Sequence, residues 1–310
     1  MILTVGTRGS ALALAQTEKV VQELKLIHPH VEFKIRIIKT LGDTQNTQPL
    51  FTIDRQGIFE KEIDQALLRG EIDFAVSSLK DVPTVETEGT IIAAVPKRAS
   101  PHDVLISKDK LSLKTLPKGS IIGTGSLRRL AQVKFIRADL EVVPLRGNLD
   151  TRIKKVKSGE LDGVIVAEAG LQRMNLESLI AERFSLEEFP SAPAQGALAI
   201  VTRKDDAKTQ GLLQAIEHPQ TRAEVTAERS LMRQLGGGCR VPICAVGRAN
   251  GNFLSLRGVM FNLDGRNRIS AFAEGKVAEA EELGKKVAQK LVAQGAKQIE
   301  EEWREKYGVG

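Results

Sequence analysis

Cys239 stands at the end of three consecutive glycines, in Leu235-Gly236-Gly237-Gly238-Cys239-Arg240-Val241-Pro242. Glycine carries no side chain and reaches backbone conformations closed to other residues, so this loop can present the sulfur to a bulky ligand. The thiolate is the reactive form of cysteine, and the neighbouring Arg240 would favour it. The same residues also suit a plain hairpin in which the glycines supply positive φ angles and Cys239 is a small apolar filler.

Asp81 is the second candidate. Ser77-Ser78-Leu79-Lys80-Asp81-Val82-Pro83 follows an apolar run at 72–76, which puts Lys80 and Asp81 at the carboxyl end of an expected strand. Open α/β sheets hold their ligands at such ends. A carboxylate there can act as acid and base and can stabilise a developing cation by charge. Alternatively, Asp81 opens a turn before Pro83 and pairs with Lys80 or an arginine.

Three more segments share one design: apolar strand, small-residue turn with arginine, helix. They are Val5-Gly6-Thr7-Arg8-Gly9-Ser10, Gly123-Thr124-Gly125-Ser126-Leu127-Arg128-Arg129 and Pro144-Leu145-Arg146-Gly147-Asn148-Leu149-Asp150-Thr151-Arg152. Exposed amides at a helix start attract anions, hydroxyls add donors, and arginine matches a carboxylate with a planar fork. Singly, Ser10 and Ser126 also read as simple helix caps and the arginines as solvated surface. Three such turns together favour a site for a polyanion. Glycine-rich nucleotide fingerprints are absent: no G-x-x-x-x-G-K-[ST] occurs, and Gly6 and Gly9 lack a third glycine and its acidic partner.

The elements that must position these residues alternate. Strands are expected at 2–5, 33–39 and 72–76 with helices at 11–26 and 58–69, a βαβαβ pattern that predicts a largely parallel sheet with helices on both faces. After a break at Pro96 to Pro101 the alternation restarts, with strands at 121–122, 141–143 and 164–166 and helices at 127–137, 149–158 and 168–173. A strand at 197–201 and a helix at 207–217 follow Pro190-Ser191-Ala192-Pro193. A chain crossing twice between two α/β domains predicts a hinged cleft. Beyond it, a helix at 222–235, strands at 241–248, 253–261 and 268–273, and helices at 277–293 and 296–307 predict an α+β module, with Asn250-Gly251 and Asp264-Gly265 as hairpin turns.

The 310 residues are too many for one ordinary core. The net charge of +6 points to anionic partners, but Trp303 and Tyr307 lie near the end of the chain and no basic tract carries interleaved aromatics, so small acidic ligands fit better than nucleic acid. Two cysteines cannot make a disulfide framework, and with four histidines no metal cluster forms at ligand spacing. No apolar stretch approaches the roughly 20 residues of a membrane span, and the start lacks a signal-peptide pattern, so a cytoplasmic protein is expected.

Thr7-Arg8-Gly9-Ser10, Leu79-Lys80-Asp81-Val82-Pro83, Gly123-Thr124-Gly125-Ser126-Leu127-Arg128-Arg129, Leu145-Arg146-Gly147-Asn148, Gln195-Gly196-Ala197-Leu198 and the Cys239 loop occur in the order found in the porphobilinogen deaminase (hydroxymethylbilane synthase) family, which the chain resembles over essentially its whole length. The resemblance implies two periplasmic-binding-protein-like α/β domains around a cleft, 1–97 with 196–217 and 98–195, plus a C-terminal α+β domain, 218–310, carrying the cysteine loop. It further implies a monomer in which Cys239 holds a dipyrromethane cofactor by a thioether bond. Four porphobilinogen molecules would be joined to that cofactor head to tail with loss of ammonia, and water would release hydroxymethylbilane. Asp81 matches the catalytic aspartate; Lys80, Ser126, Arg128, Arg129, Arg146 and Gly147 match cofactor-binding positions, and Arg8, Ser10, Phe59, Arg152, Arg173 and Gln195 substrate-binding ones. Each pyrrole bears an acetate and a propionate, so the arginine turns become carboxylate clamps.

The chain departs from the family pattern at Ser77, where a histidine is common, and at Gln56, where a mobile loop usually supplies lysine. His102 replaces a common arginine, and Ala192-Pro193-Ala194 replaces Ala-Val-Gly. Two competing readings are a non-catalytic small-anion-binding protein, which needs neither Cys239 nor Asp81, and an anion-sensing transcription regulator, for which no N-terminal helix-turn-helix is recognisable.

Overall fold

A computed structural model describes residues 1–41, 60–236 and 241–307. Cys239, Phe59, Gln56 and the start of the helix expected at 58–69 lie outside the described residues.

The chain opens with β1 (Ile2–Arg8) and turns into α1 (Ala11–Ile27). Ser10 caps that helix: its backbone is extended and its Oγ accepts the Ala13 amide at 3.3 Å, satisfying one of the donors that a helix start leaves open. Then come β2 (Glu32–Ile38), α2 (Lys61–Leu68), β3 (Phe74–Ser78) and β4 (Thr90–Ala94). A second series comprises β5 (Asp103–Ser107), β6 (Ile121–Thr124), α3 (Leu127–Ile136), β7 (Glu141–Pro144), α4 (Leu149–Lys157), β8 (Gly163–Ala167), α5 (Glu168–Arg173) and the short β9 (Glu182–Arg183). β10 (Leu198–Arg203) and α6 (Ala207–Leu213) lead into α7 (Pro219–Gln234). The chain ends with β11 (Ile243–Asn250), β12 (Phe253–Phe261), β13 (Arg268–Lys276), α8 (Ala280–Val292) and α9 (Ala296–Tyr307).

Two five-stranded sheets and one three-stranded sheet result, ordered β2-β1-β3-β10-β4, β7-β6-β8-β5-β9 and β11-β12-β13. In the first, β2, β1 and β3 run parallel while β10 is antiparallel to both its neighbours. The second repeats the plan, with β7, β6 and β8 parallel and β5 antiparallel. The expectation of a largely parallel sheet therefore holds: four strands of each sheet, β4 and β9 included, run one way, and one runs against them. The crossover rule governs consecutive βαβ units, whereas β10 and β5 enter each sheet from outside such a unit. β4 and β5 were not foreseen as strands; each is a short apolar run beside the break at Pro96 to Pro101.

The described residues fall into two compact units, one drawn from 1–41, 60–99 and 196–222, the other from 100–195 and 223–307. In the first, Val20, Val21 and Leu24 of α1 pack with Leu3, Val5, Phe74 and Ile200. In the second, α4 and α5 cover one face of the sheet through Ile153, Val156 and Leu171, while Val133, Phe184 and Phe189 cover the other. Leu127 and Ala131 of α3 also join the core of the antiparallel module, so that module and the second sheet share packing. Gly258 on β12 makes room for α7 and α8: a Cβ there would lie 2.7 Å from Leu231 and 2.9 Å from Leu291. Trp303 of α9 is fully buried, and its Nε1 donates to the Phe261 carbonyl at 2.9 Å, pairing the polar atom that so large an apolar ring takes out of water.

Candidate functional site

In the first unit the candidate residues gather at the carboxyl ends of β1 and β3. Arg8 ends β1 and Ser10 starts α1; both are partly buried. The third strand runs two residues further than expected, so Ser77 and Ser78 belong to β3, and Leu79–Asp81 form one 3-10 turn. That turn is anchored: Leu79 is fully buried and its amide donates to the Ala197 carbonyl at 3.0 Å. The neighbouring Ser78 hydroxyl accepts from Gln16 Nε2 at 3.0 Å. Lys80 and Asp81, both partly exposed, are thereby held at the strand end.

Glu60 shares this edge, and nothing in the sequence pointed to it. It is 4% exposed, and its Oε2 accepts from the Ser77 hydroxyl at 2.9 Å. Burial raises its carboxyl to a pKa of about 7; Ser77 lowers it, the Asp81 and Asp64 charges raise it, and Arg8 lowers it. A carboxyl that titrates near neutrality beside Asp81 is a common mark of a functional site.

The second unit assembles most of the arginines. Ser126 caps α3, accepting the Arg129 amide at 3.4 Å. The Leu145 amide donates to the Thr124 carbonyl at 3.0 Å, joining the turn after β6 to the turn after β7. Gly125 has no space for a side chain, since a Cβ would lie 2.6 Å from the Leu145 oxygen and 3.9 Å from Arg152 Nη2. Gly147, at φ +100, a conformation that favours glycine, lets its carbonyl accept Arg152 Nε at 2.8 Å. Ser126, Arg146, Gly147 and Arg152 are thus brought to one place at the ends of β6 and β7. Burial weakens proton binding by Arg146, and holds Arg173, at the end of α5, at about 10, so Arg173 remains a cation at neutral pH.

Arg128 and Arg129 have a partner that sequence reasoning missed. Asp103, the first residue of β5, is fully buried, with Arg128 Nη1 2.7 Å from one carboxylate oxygen and Arg129 Nη2 2.7 Å from the other. Gln195 Nε2 adds a third donor at 2.9 Å and also reaches the Pro101 carbonyl at 2.8 Å. Burial alone would push the Asp103 carboxyl up, but the two guanidiniums hold it well below the ordinary carboxylate range. Arg128 also donates to the Pro190 carbonyl at 3.0 Å and stands beside the Cys244 thiol, which burial pushes up to about 12. Cys244 is therefore an unreactive buried thiol. Two guanidiniums against one carboxylate leave a net positive charge at the start of α3.

Among the described residues no three His, Cys, Asp or Glu side chains are grouped to hold a metal ion. Among them, too, no helix is long and apolar enough to cross a membrane.

Helix starts and arginines at strand ends of one sheet, and carboxyls at strand ends of the other, make an α/β protein whose donor set suits anions. Residues 3–211 match the family description "Porphobilinogen deaminase, dipyromethane cofactor binding domain", and residues 222–293 match "Porphobilinogen deaminase, C-terminal domain". The chain is 50% identical over 302 residues to the porphobilinogen deaminase of Desulforamulus reducens, covering 97% of this chain and 98% of that one. With the porphobilinogen deaminase of Thermus thermophilus the identity is 47%, covering 96% and 98% of the two chains. Among solved structures, it is similar to a TRAP periplasmic solute binding protein from Desulfovibrio salexigens, at 11% identity, TM-score 0.44 and 71% and 73% coverage. It is also similar to the periplasmic aliphatic sulphonate binding protein of Escherichia coli, at 13% identity, TM-score 0.40 and 75% and 70% coverage. The chain belongs to the porphobilinogen deaminase family, and so to the transferases of tetrapyrrole synthesis.

Proposed function

We propose that this chain joins four porphobilinogen molecules head to tail, with release of ammonia, on a dipyrromethane held by a thioether to Cys239, and then frees hydroxymethylbilane by hydrolysis. The observation that carries this reading is the gathering of Ser126, Arg146, Gly147 and Arg152 at the ends of β6 and β7. Hydroxyl, guanidinium and amide donors in one place suit a ligand with an acetate and a propionate on every ring. The same donor set fits the cofactor, which when bound supplies an anchored pyrrole end for chain growth. Arg128 and Arg129 serve through the positive charge left beyond Asp103, with Lys80 as a further cofactor contact. Arg8, Ser10, Phe59, Arg152 and Arg173 hold the carboxylates and rings of the substrate chain, while Gln195, matched to a substrate-binding position, acts through the buried Asp103 to which its amide donates.

Asp81 does the proton chemistry in this reading. The substrate's amine, carried as its ammonium form, leaves the aminomethyl carbon as ammonia with the electron pair of the C–N bond, which creates a pyrrole-stabilised cation. An Asp81 carboxylate oxygen stabilises that cation by charge and, once the new C–C bond has formed, accepts the ring proton and passes it to the departing ammonia. The proposal includes three domains, 1–97 with 196–217, 98–195 and 218–310, and a cytoplasmic monomer.

Denatured intact mass tests it first. Protein from a host that makes porphobilinogen should carry an excess of two linked pyrrole units, lost in Cys239→Ser. A bare mass that stays bare after incubation with porphobilinogen would overturn the assignment in favour of a binding protein.

A further inference from the structure

Among the described residues Glu60 is the one buried carboxyl at the Asp81 edge of the first sheet, and the chemistry above leaves it without a task. Its oxygen is held by the Ser77 hydroxyl at 2.9 Å, and Ser77 belongs to the same strand, β3, whose end carries Asp81. We propose that Glu60 is a positioning residue for the reaction, a second carboxyl whose charge state sets the field at Asp81. The proposal rests on the assignment of Asp81 as the proton-transferring residue.

Among the described residues, the charged groups facing Glu60 are Asp81 after β3, Asp64 on α2 and Arg8 at the end of β1, besides Ser77 itself. Asp64 is turned to a partner of its own, the Thr87 hydroxyl at 2.5 Å. With its pKa near 7, Glu60 is mostly neutral on the acid side of neutrality and mostly anionic on the basic side. An added negative charge in a poorly solvated place favours a cation forming near Asp81, so turnover should rise as pH passes through about 7. From screened charges at a protein site, a step of about three- to tenfold is the expected size.

The test pairs rate profiles with a direct titration. Glu60→Gln keeps the shape of the neutral carboxyl, so it should lose the step near neutrality and stay at the low-pH rate. Ser77→Ala removes a hydrogen bond that favours the anion, so it should move the step to higher pH. Infrared difference titration of the full chain should show a buried protonated carboxyl disappearing near pH 7. That signal should be absent in Glu60→Gln, move up in Ser77→Ala, and move down in Asp81→Asn, because the Asp81 charge is one of those raising Glu60. An unchanged rate profile in folded Glu60→Gln, or a carboxyl signal indifferent to Asp81→Asn, overturns the proposal. Near-normal turnover in Asp81→Asn instead removes the assignment of Asp81, while the infrared shift still reports whether the two carboxyls are coupled.

Discussion

The two five-stranded sheets are built on one plan, and three corresponding positions separate their chemistry. Each has four strands running one way and one antiparallel strand that begins opposite the last residue of β3 or β8, Leu198 facing Ser78 in the first sheet and Asp103 facing Ala167 in the second. Each also opens a helix with a serine cap, Ser10 or Ser126. Two and three residues past the cap stand Leu12 and Ala13 in the first sheet, Arg128 and Arg129 in the second. Where one sheet has Leu198, Leu12 and Ala13, the other has a buried carboxylate and two guanidiniums. Topology alone therefore does not make an anion site. The ionic trio gives the second sheet its fixed positive charge, and on the reading proposed above its apolar counterpart leaves the first sheet to carboxyl chemistry at Asp81 and Glu60.

Breaking the trio should have the largest effect. Asp103→Leu copies the first sheet's residue but leaves two buried guanidiniums without their carboxylate, and breaking a buried pair on one side costs about 3–5 kcal/mol. Urea unfolding should register that loss. Replacing all three, with Asp103→Leu, Arg128→Leu and Arg129→Ala, should recover most of the stability, because well-packed apolar groups often do as well as a buried ion cluster. The recovered protein should still fail to retain cofactor by mass. Retention at the wild-type level would show that the trio's charge plays no part in binding.

Glu60 gives the first sheet a pH dependence of stability that the Asp103 trio cannot give the second. Its folded pKa of about 7 lies above the ordinary 4.5, so the folded state favours the protonated form. Its stabilising contribution is complete below pH 4.5 and is lost as pH rises through 7, to a total of about 3 kcal/mol by proton linkage. Glu60→Gln should match the parent near pH 4 and unfold at higher urea at pH 8. Asp103 has the opposite sign: its lowered pKa means its contribution is present above the ordinary carboxylate range and is lost only in strong acid. Parallel stability profiles for parent and Glu60→Gln would show that Glu60 titrates normally.

The alternation of strands and helices, the serine caps and the basic turns were legible because each is a local pattern. α5 at Glu168–Arg173, β12 and α9 have the bounds their periodicity predicts. Asp103 was not legible: it heads a short apolar run just past a proline-marked break, and its partners lie 25 and 26 residues on, in a helix. Glu60 was hidden for a similar reason. Glu60-Lys61-Glu62 looks like a solvated helix start, and its partner Ser77 lies 17 residues on and reaches it only in the folded chain. The third strand was placed two residues early because an apolar run marks burial, and Ile72 is buried without being in the strand. Ala194 adopts φ +59, a left-handed conformation that costs a non-glycine residue about 1 kcal/mol, where the family pattern has glycine.

The turn glycines give a smaller contrast. Gly9 and Gly125 both precede their caps, but a Cβ on Gly9 would meet only the Ile37 side chain, at 3.2 Å, whereas on Gly125 it would meet the Leu145 backbone oxygen at 2.6 Å. A side chain can turn aside and a carbonyl held in a strand-end turn cannot, so Gly125→Ala should cost about 1–3 kcal/mol and Gly9→Ala much less. Equal losses in the two would mean the second turn is as yielding as the first.

The caps themselves should give the smallest effect and the sharpest division between stability and function. Ser10 and Ser126 accept amides at 3.3 and 3.4 Å, long for such bonds, so each change to alanine should cost about 0.5–1 kcal/mol, the weak end of the range for caps. Thermal unfolding should not tell the two variants apart. Cofactor retention should, because Ser126 shares its place with Arg146, Gly147 and Arg152, and a frayed first turn of α3 would misdirect the amides offered to a carboxylate there. Ser126→Ala should therefore carry less covalent cofactor by intact mass than Ser10→Ala when both are made under the same porphobilinogen supply, while Ser10→Ala should show mainly in the KM for porphobilinogen. If both variants held cofactor equally and shifted KM alike, the two helix starts would be doing the same job, and the division between a cofactor-holding sheet and a substrate-handling sheet would have to be abandoned.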